Sequence, residues 1–402
     1  MRSNIPTRLV YLMIAAILLN ILILPGFSAA NASGETEEPA IEFNYKVKAA
    51  LMMETDTGKI IFEKDSQTKL YPASVTKIMT VLLAMEALKE GKIHLDDEVV
   101  ISSRAASMGG SQIFLSEGDR VNLEKLLIGI MVGSANDASL AVAEHISGSV
   151  EVFVDLMNSR AHDLGMKNTR FMNPHGLHDE NHFTTAYDIS IMSRELLNHP
   201  QIHEFTGVWM DEHFLEGEIK SGEVYLSNTN KLIRYYQGCN GLKTGFTNEA
   251  GHCIAATARR GDTRFLAVIL GGDTSDERYD AARTLLNYGF SRYQSVPVVK
   301  KGEVIKIVPV EKGDFTHVNI IAKNNLSLLY PKGEKVEYEK EVVLPEHLEA
   351  PLEEGQKIGE INAFFKDEKA GVDLVAAGDI ARAGYFKIAG RIFSLWLSFG
   401  RR

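Results

Sequence analysis

The sequence predicts an α/β (α+β) fold, an antiparallel sheet with helices on both sides. Residues 253–258 and 265–270 are apolar runs typical of strands, and a Thr/Asn/Gly turn at 247–251 precedes them. Residues 78–88 are mostly apolar, which indicates a helix buried in a core. From about residue 295 the runs become short and alternate with Gly, Pro, Asn and charged turns, so we expect a small all-β domain there.

The first of these domains is expected to span residues 43–294. Residues 52–62 are predicted to form its N-terminal hairpin, and 265–270 a later strand. Pro72 favours a helix start just ahead of the apolar stretch, and Gly91 marks its end. A helix predicted over residues 276–288 then closes the domain.

The N-terminus is typical of a secretory signal peptide, which we place at residues 1–32. Arg2 and Arg8 precede an apolar run at 9–24, and Ala30-Asn31-Ala32 provides a small-residue cleavage pattern. An uncleaved membrane anchor fits less well, because the run is short for a membrane span. We therefore expect cleavage after Ala32 and a disordered leader at residues 33–42. The mature protein is expected to act outside the cytoplasm.

The C-terminal part is predicted to hold a small β-rich domain at residues 295–378 and an amphipathic helix at 379–402. Between Ile380 and Arg402 there are five basic residues and no acidic one. With its wide apolar, aromatic-rich face, this pattern favours peripheral binding to an anionic membrane surface. The alternative is that the helix packs onto the β domain.

Composition narrows the classes of partner. The chain has 402 residues and a formal net charge of −10, and no stretch mixes basic clusters with aromatic residues in the way that a nucleic-acid surface would. Both observations argue against a nucleic-acid partner. Export would allow a disulfide, but the predicted turn at 247–251 places Cys239 and Cys253 too far apart along paired strands for one. We therefore expect them to be small packing residues or free thiols near the site.

Three short motifs follow one another along the chain, and their surroundings separate them from two look-alikes. Ser66-Gln67-Thr68-Lys69 and Lys220-Ser221-Gly222 fit the first and third patterns, but they lie in polar stretches typical of turns. The three motifs are Ser74-Val75-Thr76-Lys77, Ser134-Ala135-Asn136 and Lys243-Thr244-Gly245. They are predicted to lie on a buried helix, in a tight connection between two apolar helices and on a strand.

The first two motifs suit nucleophilic catalysis. Ser74 and Lys77 are three residues apart, so their side chains meet on one helix face. A serine hydroxyl becomes a strong nucleophile when a base takes its proton, and Lys77 is such a base if burial keeps it neutral. Ser134 could relay a proton to a leaving amine, and Asn136 could orient Lys77 and a peptide group. Alternatively, Ser134 only caps the following helix.

The third motif suits recognition of a substrate with a terminal carboxylate. Lys243 supplies a positive charge and Thr244 a hydroxyl, and Gly245 would let a substrate backbone lie close to the strand edge. The backbone N–H groups of Ser74 and Phe246 could form an oxyanion hole. Together the three motifs predict a serine acyl-enzyme.

These motifs, in this order, resemble the low-molecular-mass penicillin-binding proteins, the serine D-alanyl-D-alanine carboxypeptidases. The resemblance covers most of the chain after the signal and implies a penicillin-binding-protein/β-lactamase-like fold. It rests on residues 71–77, 133–137, 173–177, 184–188, 241–245 and 250–251.

The resemblance implies a function and a role for each residue. It makes Ser74 the nucleophile and Lys77 the general base, with Ser134 and Asn136 completing the proton relay and Lys243 and Thr244 binding the carboxylate. The substrate would be the pentapeptide stem of peptidoglycan, the inhibitors β-lactams, and the location the outer face of the bacterial cytoplasmic membrane. No metal or organic cofactor is implied.

Related activities share this motif set. A class A β-lactamase would show Ser-Asp-Asn and a Glu-x-x-x-Asn loop, whereas this chain has Ala135 and Asn173-Pro174-His175-Gly176-Leu177. A DD-endopeptidase and a poorly turning-over penicillin-binding sensor or scaffold stay open as alternatives. Phe246 departs from relatives with His at this place, which bears on substrate preference.

A histidine-rich stretch raises the question of a metal site. His175, His178 and His182 lie close to Asp179 and Glu180. Their spacing fits no common zinc pattern, and the resemblance puts this stretch in a loop beside the active site. We therefore predict that it holds no metal.

Overall fold

A computed structural model describes residues 41–366 and 368–399. The chain divides into two units, Met1–Glu42 and Phe43–Arg402. All helices and strands given below belong to the second unit. The signal peptide predicted at 1–32 lies outside the described residues, as does the predicted leader up to residue 40.

The described residues alternate helices and strands first and are almost all-β later. The helices are α1 (Lys77–Lys89), α2 (Ser103–Ala106), α3 (Leu123–Ile128), α4 (Asn136–Ser147), α5 (Val150–Asp163), α6 (Ala186–Leu196), α7 (Ile202–Thr206), α8 (Leu232–Tyr235), α9 (Ser275–Arg292) and α10 (Tyr385–Phe399). The strands are β1 (Ala49–Glu54), β2 (Ile60–Lys64), β3 (Glu98–Val100), β4 (Arg120–Asn122), β5 (Met210–Ile219), β6 (Gly222–Ser227), β7 (Cys239–Thr247), β8 (Gly251–Arg260), β9 (Thr263–Gly272), β10 (Tyr293–Val299), β11 (Val304–Glu311), β12 (His317–Ala322), β13 (Leu326–Pro331), β14 (Glu339–Val343), β15 (Leu348–Glu349), β16 (Lys357–Phe365) and β17 (Glu368–Ala376).

A five-stranded antiparallel sheet in the order β2-β1-β9-β8-β7 forms the centre of the first domain. Met52 pairs with Phe62, which confirms the predicted N-terminal hairpin. Strand β7 lies at one edge, so one side of the third motif is left without a neighbouring strand.

Helices cover both faces of this sheet, as predicted. Successive strand residues point to opposite faces. Leu51 belongs to the large core that also contains residues of α1, α4 and α6. Its neighbour Met52 faces α9 instead, where a Cβ built at Gly289 would lie 3.2 Å from Met52 Sδ and 3.0 Å from the Phe265 ring. The glycine therefore lets α9 approach the sheet closely.

Helix α1 is buried on nearly every side, which the apolar run predicted. It begins at Lys77, however, and not at Ser74 as a helix after Pro72 would suggest. Ala73–Thr76 form a 3₁₀ turn instead, with Ala73 at a φ of +47°. Residues i and i+3 eclipse in 3₁₀ geometry, so Ser74 and Lys77 still lie on one side.

The later part of the chain contains two sheets. One has six strands in the order β14-β16-β17-β12-β11-β15, and β10 pairs with β13 in the other. Val308, Ile320, Tyr330, Ile361 and Leu374 are buried in a core separate from that of the first domain. The short apolar runs that follow residue 295 form strands here, such as β11, β12 and β16.

Helix α10 lies within the amphipathic segment predicted at 379–402, of which residues 400–402 are not described. Arg391 donates to the carbonyls of Gly313 and Asp314, each at 2.7 Å. Tyr385 and Phe386 are 82% and 90% exposed, so the start of α10 shows aromatic rings to solvent. Among the described helices, none has both the length and the apolar character that crossing a membrane requires.

Candidate active site

The first motif brings a hydroxyl and an amine together at the start of α1. Lys77 Nζ lies 3.0 Å from Ser74 Oγ. The side chain of Lys77 is 0% exposed, while Ser74 is only half-buried. A nucleophile that is open to solvent thus stands beside a base that is closed to it.

The surroundings of Lys77 favour its uncharged form. Removal from water lowers the pKa of Lys77 well below its ordinary value, and the charge of Lys243 lowers it further. Nζ has two more partners, Asn136 Oδ1 at 2.7 Å and the His175 carbonyl at 2.6 Å. Both are acceptors, and Ser74 Oγ is the third oxygen within hydrogen-bond distance of Nζ.

Asn136 is held in this orientation from its other side. Its Nδ2 donates to the Gly109 carbonyl at 2.7 Å, and its backbone N–H donates to the Ser111 carbonyl at 2.8 Å. The neighbouring Asp137 carboxylate accepts from the N–H groups of Ile113 and Leu115 at 3.1 Å. The start of α4 therefore ties a loop to the site and fixes the Asn136 amide.

Ser134 lies in the tight connection that the second motif predicted. After α3 the chain makes a π-helical turn, Gly129–Gly133, and Ser134 follows with a φ of +63°. The residue that caps α4 is Ala135, without a side-chain bond to the helix. The capping explanation for Ser134 is therefore wrong. Ser134 is buried two residues from Asn136, but its hydroxyl makes no hydrogen bond with Ser74 or Lys77 in the described residues.

The third motif lies on edge strand β7. Lys243 is fully buried, and its Nζ donates to the Thr244 carbonyl at 3.1 Å. Thr244 Oγ1 donates to Thr229 Oγ1 at 2.9 Å. Burial and the nearby charge of Arg278 lower the pKa of Lys243 to about 7. Its charge therefore changes near neutral pH.

Gly245 brings β7 against the turn that carries the nucleophile. A Cβ built there would lie 2.9 Å from Ser74 N and 3.0 Å from Ala73 Cβ and the Pro72 carbonyl. The absent side chain thus makes room for the nucleophile's own turn, whereas the sequence suggested room for a substrate. Next to it, Phe246 is 53% exposed and stacks on His252, with ring centroids 4.4 Å apart.

Arg278 on α9 is a site residue that the motifs did not reveal. Its Nη1 donates to the carbonyls of Gly245 at 3.1 Å and Cys253 at 3.3 Å, while its buried Nε has no hydrogen-bond partner. The helix was predicted, but no spacing singled out one arginine on it. The side chain adds a buried positive charge behind Lys243-Thr244-Gly245.

The histidine-rich loop supports the base. Gly176 has a φ of +86°, and a Cβ there would collide with the Ala73 carbonyl, so the loop lies directly against the nucleophile's turn. His175 Nδ1 accepts from the Leu177 N–H at 3.2 Å, and His182 Nδ1 accepts from the Met172 N–H at 3.2 Å. These lone pairs are engaged by backbone N–H groups and serve to shape the loop.

One other group of side chains has ligand-type atoms close together in the described residues. His213, Glu216 and Glu223 place such atoms within 4.8 Å of one another, and all three are exposed. His213 and Glu223 already bond to each other at 2.8 Å. The group lies on the β5–β6 hairpin and touches none of the three motifs.

The look-alike motifs lie where the sequence placed them. Ser66 Oγ donates to Glu63 at 2.7 Å, and Lys69 lies over the Phe183 ring, so this pair does not form a hydroxyl–amine contact. Lys220-Ser221-Gly222 forms the turn between β5 and β6. Cys239 and Cys253 are both free, and Cys253 pairs with Gly245 across β7 and β8.

Fold and site together define the class: a hydrolase that works through an active-site serine next to a buried lysine, on a helix packed against an antiparallel sheet. Comparison with known proteins agrees. A family model described as D-alanyl-D-alanine carboxypeptidase matches residues 34–274, and one described as penicillin-binding protein 5, C-terminal domain, matches residues 293–382.

Individual relatives match along nearly the whole chain. D-alanyl-D-alanine carboxypeptidase DacF of Bacillus subtilis (strain 168) is 40% identical over 389 residues, 96% of this chain and 99% of that one. The structure of penicillin-binding protein 5 from Haemophilus influenzae is 30% identical, with a TM-score of 0.65 over 84% of this chain and 98% of that one. Penicillin-binding protein D2 of Listeria monocytogenes, solved in an ampicillin-bound form, is 27% identical with a TM-score of 0.55, over 61% of this chain and 98% of that one. This chain belongs to the D-alanyl-D-alanine carboxypeptidase family of low-molecular-mass penicillin-binding proteins.

Proposed function

We propose that the chain is a serine-type D-Ala-D-Ala carboxypeptidase that removes the terminal D-alanine from peptidoglycan pentapeptide stems. The observation that carries this is the buried Lys77 amine, 3.0 Å from Ser74 Oγ and bonded to Asn136. Family membership supports the same activity. β-Lactams are expected to acylate the same serine, since they also present a carbonyl and a carboxylate.

In the proposed reaction, Lys77 takes the proton of Ser74 as Oγ attacks the carbonyl carbon of the penultimate D-alanine. The C–N bond breaks, and the leaving D-alanine amine takes up a proton through Ser134. This leaves an acyl ester on Ser74. Water then adds to the ester carbonyl and frees the shortened stem and the serine. The N–H groups of Ser74 and Phe246 are proposed to bind the oxyanion in both steps.

We propose that the substrate carboxylate binds to Lys243 and Thr244, with Arg278 adding to the positive potential behind them. The two cations, Lys243 and Arg278, are almost wholly removed from water, where their attraction for an anion is strong. A terminal carboxylate is what separates a carboxypeptidase substrate from an internal peptide bond.

This assignment predicts how KM depends on pH. With a pKa of about 7, Lys243 is charged below pH 7 and loses its charge as pH rises. We therefore expect KM for D-Ala-D-Ala peptides to rise between about pH 6 and about pH 9. Lys243→Gln should raise KM throughout and remove this dependence. Lys220→Gln, in the look-alike motif, is the control. An unchanged pH profile in Lys243→Gln would contradict the assignment.

One assay separates the carboxypeptidase from its alternatives. We would measure the release of D-alanine from diacetyl-Lys-D-Ala-D-Ala, the cleavage of cross-linked dimers, and the loss of a penicillin label with time. Release of D-alanine with slow dimer cleavage supports the proposal. Preferential dimer cleavage would identify an endopeptidase, and stable labelling without either product would identify a sensor or scaffold.

We propose that the protein works at the outer face of the cytoplasmic membrane. A signal peptide at 1–32 would export it, domains at 43–294 and 295–378 would stand at the surface, and residues 379–402 would bind the membrane peripherally. The exposed aromatic rings of Tyr385 and Phe386 on α10 support this, although Arg391 also contacts the β domain. Deleting residues 379–402 should release active protein from membranes. Retention of the truncated protein on membranes would refute the anchor.

A further inference from the structure

A cavity of about 1110 Å³ lies between the catalytic domain and the β domain. The turn after β1, the end of α6 and the β8–β9 connection line it on one side. The loop before β13 and strand β17 line it on the other side. An ion pair between Lys59 and Glu368, at 2.5 Å, joins the two domains beside this cavity.

The basic side chains of its wall include three that have no acidic partner. Arg264, Lys301 and Lys369 all line the cavity, and within the described part of the chain none lies within 4.0 Å of a carboxylate. Arg264 is largely buried, which lowers its pKa, and its Nε lacks any hydrogen-bond partner. A buried donor without a partner is costly unless a bound molecule satisfies it.

The other basic groups of the wall are occupied. Arg194 donates to the carbonyls of Thr55 and Asp56 at 2.7 and 2.9 Å, and so builds the turn after β1. Arg259 donates to the Gly261 carbonyl at 2.9 Å. These two arginines hold the wall in shape.

Most acidic side chains of the cavity wall form ion pairs with basic side chains that do not line the cavity. Glu195 pairs with Arg160 at 3.2 Å, and Asp373 with Lys357 at 2.7 Å. Arg160 and Lys357, the basic partners in these two pairs, do not line the cavity. Asp56 is the remaining acid, and its charge acts on Arg264. Against the three basic groups without an ion-pair partner the wall has this one acid, so the described residues leave the cavity with an excess of positive charge.

The cavity is distant from the nucleophile. Cys253 pairs with Gly245 beside Ser74, and Arg259 follows six residues later on β8, at the far end of the sheet. At about 3.3 Å per strand residue, the two places are about 20 Å apart. A ligand in the cavity therefore leaves the active site free.

We infer that this cavity is a second binding site, which takes a carboxylate-bearing stem peptide of peptidoglycan while the active site holds another stem. Guanidinium and ammonium groups recognise carboxylates. The wall also has Asp56 and the amides of Asn198, Asn324 and Asn325, which suit a peptide with amide groups and an amine better than a polyphosphate. The assignment of the peptide to peptidoglycan rests on the proposed function, whereas the preference of the cavity for a carboxylate does not.

The test uses the full chain with Ser74 blocked by benzylpenicillin, so that only the second site is open. The probe is the tetrapeptide L-Ala-γ-D-Glu-L-Lys-D-Ala, titrated by calorimetry. Arg264→Gln should weaken its binding about tenfold, as should the double variant Lys301→Gln and Lys369→Gln at the exposed rim. Lys340→Gln, an exposed lysine outside the cavity, is the matched control and should leave binding unchanged.

Equal affinity in wild type and both cavity variants would overturn the inference, as would no binding at all. Tighter binding of tripolyphosphate than of the tetrapeptide would also overturn it in favour of a phosphate polymer. The double variant keeps the test valid if Arg264→Gln fails to fold. Penicillin labelling and D-alanine release from the short peptide are measured on portions of the same preparations that were not treated with benzylpenicillin. Labelling and D-alanine release should be normal in the cavity variants. Their loss in the wild type would contradict the proposed function, whereas unchanged tetrapeptide binding in the variants would contradict only the second site.

Discussion

Ser74→Ala is expected to abolish both penicillin labelling and D-alanine release, with a loss of about 10⁶-fold in turnover. The substitution removes one oxygen atom, whose described hydrogen bond is the one with Lys77 Nζ. The turn and its packing against Gly245 keep their shape, because alanine retains the Cβ. Without the hydroxyl no acyl ester forms, so the loss is chemical and not structural.

Ser66→Ala is the matched control, since Ser66 begins the look-alike motif and its hydroxyl donates to Glu63, away from the three motifs. Labelling is followed on a gel with fluorescent penicillin, and release with diacetyl-Lys-D-Ala-D-Ala. Thermal melting checks that both variants are folded. Residual labelling of Ser74→Ala at wild-type rates would mean that another residue is the nucleophile.

Lys77→Arg should slow acylation by about 10³-fold or more, because it replaces the base by a permanent positive charge at the same place. Arginine cannot lose its proton near neutral pH, so it cannot accept the proton of Ser74. The wild-type lysine can, since burial lowers its pKa well below normal. The experiment thus separates a base from a cation that merely stabilises charge.

Lys69→Arg provides the control, because Lys69 is the lysine of the look-alike motif and lies over the Phe183 ring. Stopped-flow acylation by a chromogenic β-lactam measures the rate at each pH. An Arg variant that acylates within tenfold of wild type would exclude Lys77 as the base. Since arginine is larger, Lys77→Gln is tested alongside it, and both should fail.

The sequence predicted the site through order and surroundings, not through any single motif. Ser74 was preferred to Ser66 because an apolar helix follows it, and the structure places Ser74 and Lys77 in contact. The strand carrying Lys243 and its pairing with β8 were also predicted. What differed was local: the Ser74 turn is 3₁₀, and Ser134 does not cap α4.

Other site features left no pattern in the sequence. Arg278 is one of several charged residues on α9, and only its burial behind Gly245 singles it out. The His175 carbonyl that bonds to Lys77 is a backbone group, which any residue would supply. Such contacts arise from chain segments far apart in sequence, whose meeting depends on packing.

The sequence by itself determined the element types, the order of the motifs and the chemistry that their residues allow, because periodicity and side-chain type are local properties. Only the tertiary structure shows how differently the lysines of the true motif and of its look-alike are surrounded. Lys77 and Lys69 have the same side chain, but Lys77 is buried among acceptors and Lys69 is not. It also created the cationic cavity between the domains, since desolvation and unpaired charge exist only once distant segments have come together.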